Sequence, residues 1–276
     1  MKRMFAWTFI WAVLLASGCG GKTADETKKG KDVPNTAKVV FSVGIVSVTD
    51  SAGSSPAQTD MILPVGSTVS TGPKSQCNIL IGDSSYVSIK ENSKLVLASL
   101  VRKGGSLEES TLDLQGGRIV ATPKKLLRDE GFSVKTRTAV AAVRGTKFVV
   151  TNEPGEDVKV AVIEGKVEMK PRVPSLEAES SANPEAVADI QKRIDAAAVV
   201  VSENQTASIK TASAVALDTA VQSAVEEVKK APKEGEAAPA IPAAVIDNVF
   251  LSVKKVEIST EQKVSPRAEE EVRELD

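Results

Sequence analysis

Between Lys38 and Lys170 apolar residues recur at every second position in short runs, and no stretch of helical length with three-to-four spacing interrupts them. Val158, Val160 and Val162 alternate with Lys159 and Ala161, and Val167 and Met169 resume the pattern after Glu164-Gly165. Phe132, Val134 and Thr136 alternate with Ser133 and Lys135, while Leu112 and Leu114 flank Asp113 and Val87 and Ile89 flank Ser88. Successive side chains on a strand point to opposite faces, so each run reads as a strand with one buried face. Gly, Asp, Asn, Ser and Pro punctuate the runs, as turns require. Many short strands, each with one face to bury, predict a mainly β architecture over 38–170: an all-β sandwich, a barrel or a solenoid-like stack.

After Lys170 the pattern changes. Pro171, Pro174 and Pro184 bracket a polar loop, and residues 185–198 carry Val187, Ile190, Ile194 and Ala197 at helical spacing. Val199–Val201 and Ala207–Ile209 flank Glu203-Asn204, which predicts a closing hairpin within 171–211. A second helix is predicted over about 213–230, in a 212–231 segment, with Leu217, Val221, Val225 and Val228 as its stripe. The two stripes either cover the β-domain, pair with each other, or present a face to a partner. Residues 232–276 read as a Pro/Ala/Glu-rich linker with a last short apolar segment at 244–258, then a charged, disordered tail.

Composition removes several function classes. The chain has 276 residues, a formal net charge of −1 and no histidine. A Ser-His-Asp or Cys-His triad and any His-ligated metal site are thereby excluded. The near-zero balance supplies no field for nucleic acid, and aromatics for base stacking are few. No catalytic residue, cofactor or metal site is expected. Cys77, in the strand-like run Gln76–Leu80, is expected as a buried, inert thiol.

The N-terminus carries a separate signal. Lys2 and Arg3 precede the uncharged run Phe5–Leu15, and small residues Ala16, Ser17 and Gly18 lead to Cys19. That order reads as a secretory signal peptide, and the apolar run is too short for a membrane span of about 20 residues. Ala-Ser-Gly-Cys resembles a lipobox, which implies cleavage between Gly18 and Cys19 and lipidation of Cys19, with palmitate among the acyl chains. Residues 1–18 are then a signal peptide and 19–37 a lipidated, flexible tether. Gly20, where many two-membrane bacteria place Asp for inner-membrane retention, favours the outer membrane; the periplasmic face of the inner membrane and the cell surface stay open.

The most specific internal motif is Thr138-Ala139-Val140-Ala141-Ala142-Val143-Arg144-Gly145-Thr146-Lys147-Phe148-Val149-Val150. It resembles the signature of the FecR domain, an Ala/Val run leading into Arg-Gly-Thr-x-Phe. Leu63–Gly72 looks like that domain's opening hairpin, Ile79–Ser85 like its apolar strand and turn, and Leu114–Ile119 and Val162–Val167 like its two Gly turns. The chain thereby resembles the FecR-domain lipoproteins of spirochaetes. In that reading Arg144, Gly145, Thr146 and Phe148 are structural or make a partner contact. From the residues alone, Gly145 can take positive φ between strands and Phe148 can anchor a core.

The resemblance implies a non-enzymatic, lipid-anchored envelope protein whose β-domain makes protein or ligand-sensing contacts in the periplasm, with an envelope protein as partner. The family's regulators act on a sigma factor through a cytoplasmic segment, and a chain anchored only by lipid is expected to lack that half. The alternative is a surface-exposed adhesin for host or matrix molecules.

Overall fold

The computed structural model describes residues 36–82, 85–103, 106–123, 131–143, 145–179, 184–230, 251–253 and 255–275. The signal peptide, Gly18, Cys19, most of the tether and Arg144 lie outside them, as do the side chains of Val187, Val225 and Val228. Among the described residues no helix is long and apolar enough to cross a membrane.

The strands in chain order are β1 (Thr36–Val43), β2 (Val46–Asp50), β3 (Gly53–Pro56), β4 (Ile62–Pro64), β5 (Thr68–Thr71), β6 (Gln76–Ile81), β7 (Ser85–Ile89), β8 (Lys94–Lys103) and β9 (Ser106–Thr122). They continue with β10 (Gly131–Lys135), β11 (Ala139–Val143), β12 (Lys147–Asn152), β13 (Val158–Glu164) and β14 (Lys166–Pro171). Helices α1 (Pro174–Glu179) and α2 (Pro184–Ala196) follow, then β15 (Val199–Ser202), β16 (Gln205–Ile209), α3 (Thr211–Lys230), β17 (Ile258–Glu261) and α4 (Pro266–Arg273).

The strands pair in two ladders. One runs β4, β1, β6, β7, β9, β12, β13, β16, β17. The other runs β3, β2, β5, β8, β9, β10, β11, β14, β15. Strand β9 belongs to both. It pairs with β8 as far as Gly116, then with β12 from Gly117. Among the described residues every pairing is antiparallel except β9 with β10. The inward residues of both ladders form one core, with Val39, Ile79 and Phe148 from the first and Val69, Leu97 and Phe132 from the second. Phe132 and Phe148 meet edge to face across it, with ring centroids 6.2 Å apart, a geometry that adds about 0.5–1.5 kcal/mol to burial. The alternating positions read from sequence point into this core: Val87, Ile89, Leu112, Leu114, Val134, Val158, Val160 and Val162 are buried.

Most of the turns expected as hairpins are corners between ladders. Leu63–Gly72 joins β4 of the first to β5 of the second, and Glu164-Gly165 joins β13 to β14. The expected hairpin at 199–209 is corrected in the same way: β15 pairs with β14 while β16 pairs with β13, so Glu203-Asn204 is a crossing. The cause is local. A residue with positive φ stands at each of these crossings, Gly66 (89°), Gly165 (92°) and Asn204 (61°), and it turns the chain out of its own ladder's plane.

Two ends also differ from expectation. Strand β1 begins at Thr36, inside the stretch read as tether, because Ala37 and Val39 are buried against β6. The tail expected to be disordered forms β17 and α4, because Val264, Ala268 and Val272 give it a buried stripe. The two helices read from sequence are present as α2 and α3. With α1 they bury Leu176, Ile190, Ile194, Leu217 and Val221 in a small core of their own, in which α1 bridges the two stripes. Ser175 ties α1 to α3, its backbone N–H donating to the Asp218 carboxylate at 3.0 Å.

Gly117 marks where β9 changes ladder. A Cβ there would stand 2.3 Å from Ser93 Oγ, 2.5 Å from Ser93 Cα and 2.7 Å from the Asn92 carbonyl, and its φ is +88°. At Gly66, with φ +89°, an added Cβ meets nothing within 4 Å. Gly66→Ala is expected to cost about 1–2 kcal/mol, the left-handed strain alone. Gly117→Ala is expected to cost clearly more, about 3 kcal/mol or above, because backbone must also shift. Denaturant unfolding of both variants checks the order.

Candidate functional site

Gly145 and Thr146, the described part of the Arg-Gly-Thr motif, lie at the corner between β11 and β12. Gly145 has φ +62°, and Thr146 is fully buried. The Thr146 hydroxyl donates to the Lys166 carbonyl at 2.8 Å and accepts from the Lys166 N–H at 3.3 Å. Lys166 follows Gly165, so one side chain ties two neighbouring corners. Gly165 has no room for a side chain: a Cβ would stand 2.9 Å from Thr146 Oγ1.

The same device recurs twice. Asn92 has φ +52°, and Ser93 donates to the Arg118 carbonyl at 3.1 Å and accepts from the Arg118 N–H at 2.9 Å, beside Gly117. Lys74 has φ +52°, and Ser75 Oγ accepts from the Ile45 N–H at 2.8 Å, beside Gly44. In each case a left-handed residue precedes a Ser or Thr, whose hydroxyl bonds the residue after a left-handed glycine on the next corner. The structure places Gly145 and Thr146 in this framework and Phe148 in the core two residues on.

Cys77 is fully buried on β6, and burial pushes its thiol up to about 12. At neutral pH it is therefore protonated and sealed from reagents, as read from sequence.

A second candidate is the outer face of the first ladder, and sequence reasoning missed it. Register aligns Thr206, Ala161, Val149, Val120 and Ser88 across β16, β13, β12, β9 and β7. Helix α4 lies over this row. Ser265 caps it by accepting from the Ala268 N–H, and Pro266 occupies its first turn, where no amide partner is lost. Val264, Ala268 and Val272 pack on Val120, Val149 and Ala161. Arg118 Nε donates to Glu271 at 2.7 Å, Arg267 reaches the other oxygen of Glu271 at 3.0 Å, and Lys90 reaches Glu274 at 3.2 Å. Arg118 Nη1 donates to Thr151 at 3.2 Å, but its Nη2 is buried without a partner among the described residues, as is Ser88 Oγ. Beside the start of α4 a cavity of about 610 Å³ is bounded by Arg118, Thr151, Ala161, Thr206 and Lys263. The signal that could have revealed this seat is Val264, Ala268, Val272 and Leu275 at helical spacing behind Ser265-Pro266, hidden by the charges between them.

A second cavity, of about 400 Å³, lies between α2 and the outer face of the other ladder, where Arg172 is committed to Asp113 at 3.2 Å and Glu177 at 3.1 Å. Among the described residues no group of His, Cys, Asp or Glu could hold a metal ion.

Two outcomes follow from this geometry. Thr146→Val keeps the shape but removes both bonds to Lys166, and is expected to destabilise by about 1–3 kcal/mol while Thr146→Ser retains most of the stability. Denaturant midpoints of the pair check it. In a Cys19→Ser chain, Cys77 is expected to resist alkylation at pH 8 in the native state and to react at once in denaturant, followed by mass spectrometry.

Comparison with known proteins agrees with the motif. No curated protein matches the chain. Two crystal structures of an anti-sigma factor candidate from Parabacteroides distasonis ATCC 8503, at 2.50 and 1.65 Å, are similar to it, each at 16% identity, with TM-scores of 0.37 and 0.36. The matches cover 51% of this chain and 53% of that one, so the chain spans about half of that protein's length. Residues 67–168 match the family described as FecR protein. From Ser67, just before β5, to Glu168 in β14, this chain carries a FecR domain.

Proposed function

We propose that this chain is a non-enzymatic, lipid-anchored protein of the bacterial cell envelope, whose FecR domain works by protein or ligand-sensing contact in the periplasm. The observation that carries the reading is the FecR match over residues 67–168, on a chain whose N-terminus reads as a lipoprotein signal ending at Cys19. The β framework supports it: the motif's threonine is used in tying corners and its phenylalanine in the core. The absence of histidine from the sequence removes Ser-His-Asp and Cys-His triads and His-ligated metal sites.

Lipid on Cys19 supplies the attachment. Two or more acyl chains hold a protein firmly where one holds it only marginally. The outer membrane is the favoured address, and an envelope protein is the partner.

Fractionation of cells expressing the wild-type chain and Cys19→Ser tests the anchor. The wild type is expected in the membrane pellet and the variant in the soluble fraction; a variant that stays in the pellet overturns it. Cross-linking in intact cells tests the contact role, with a specific envelope protein expected on the wild-type chain. Protease treatment of intact cells is expected to spare the domain, and digestion of it would favour the adhesin reading.

A further inference from the structure

The seat beneath α4 is longer than the helix that fills it. Lys263, just before the helix, accepts a hydrogen bond from Thr206 on β16, Glu271 reaches Arg118 on β9, and Glu274 reaches Lys90 just past β7. Helix α4 therefore runs across the strands from β16 towards β7. Its eight residues span about 12 Å at 1.5 Å per residue. The outer-face row does not stop at Ser88. It continues through Asn78 on β6 to Phe41 on β1. From β16 to β1 the row crosses six strand spacings, about 29 Å at the usual separation. Along α4's path beyond its C-terminal end, Phe41 and Val43 stand 46% and 49% exposed. At the other end lies the 610 Å³ cavity.

The fit beneath the helix is also incomplete. Among the described residues Arg118 Nη2 and Ser88 Oγ, buried on this face, find no acceptor or donor. A buried polar group without a partner costs about 1–3 kcal/mol, so an occupant that supplied the missing partners would be held more tightly than α4. The seat's cations, Arg118 and Lys90, meet carboxylates of α4. An isolated helix of this length is marginal, so α4 depends on the seat for its structure.

We propose that the outer face of the first ladder is a docking groove for an acidic amphipathic helix of about 19 residues from a partner protein, and that α4 occupies part of it as an intramolecular stand-in. Length, charge and unmet hydrogen bonds all point to the same occupant. A helix on this path would set its apolar stripe on Ala161, Val149 and Val120, carry it on to Phe41, and offer carboxylates to Arg118 and Lys90. The proposal names the kind of partner for the contact role proposed above and rests on that role, but its test needs neither lipid nor cells.

The probes are two synthetic peptides: residues 262–275 of this chain, and the same sequence extended by two helical turns with leucine continuing the stripe. The receptor is the full chain with Cys19→Ser and Val272→Asp, which unseats its own helix. The extended peptide is expected to bind this receptor at least tenfold more tightly than the short one. Phe41→Ser should erase that gain, Arg118→Gln should weaken both peptides, and a chain with Val272 intact should bind both at least tenfold more weakly. Equal affinity for the two peptides, a gain that survives Phe41→Ser, or equal binding by an extended peptide with Glu replaced by Lys would overturn the proposal. If circular dichroism shows that Val272→Asp unfolds the chain, the comparison is made on Glu271→Arg. Failure of the peptides leaves the cross-linking result above standing, so the two readings fail separately.

Discussion

The structure depends on getting the chain from one ladder to the other without losing backbone hydrogen bonds. A turn that stays in plane pairs a strand with its predecessor. A turn that leaves the plane must find other partners for the amides at the corner. Three corners solve this in the same way, with a hydroxyl from Thr146, Ser93 or Ser75 bonding the backbone just after a glycine on the adjoining corner. Gly117 and Gly165 are glycine because the hydroxyl and its backbone occupy the space that a Cβ would need. The corners therefore hold one another, and the strands between them need only alternate.

This explains which parts of the fold were legible in the sequence. Alternation is a local signal, so Val158, Val160 and Val162, or Phe132 and Val134, announce their buried faces directly. Gly165 and Asn204 announce turns equally well. What they do not announce is the partner, since hairpin and corner use the same residues and differ only in where the next strand finds its ladder. The tail shows a different limit. The composition of Pro266–Arg273 is that of a solvated segment, and only the spacing of Val264, Ala268 and Val272 carries the helix. The ion pair between Arg118 and Glu271 joins residues 153 positions apart, a distance at which no pattern in the sequence connects them.

The candidate sites divide along similar lines. The motif most visible in the sequence, Gly145-Thr146 with Phe148, is used by the structure to build corners and core. The α4 seat is assembled from residues that are individually ordinary, such as Val120, Val149, Ala161 and Ser88. They matter because register sets them in one row, and a row across strands leaves no trace along the chain. The FecR signature can thus serve as framework while a docking surface of the kind proposed for the α4 seat is written in residues outside the motif.

Strand β9 has one more consequence. It is the seam of the molecule: β1 to β8 reach the later strands by pairing through β7 and β8 on one side of it, and β10 to β17 through β10 and β12 on the other. The FecR segment straddles that seam. Any load passed along the ladders from β1 to the later strands crosses β9, where both ladders resist together. A pull between the two ends of the β-domain is thereby carried through one shared strand, as through a single stiff link.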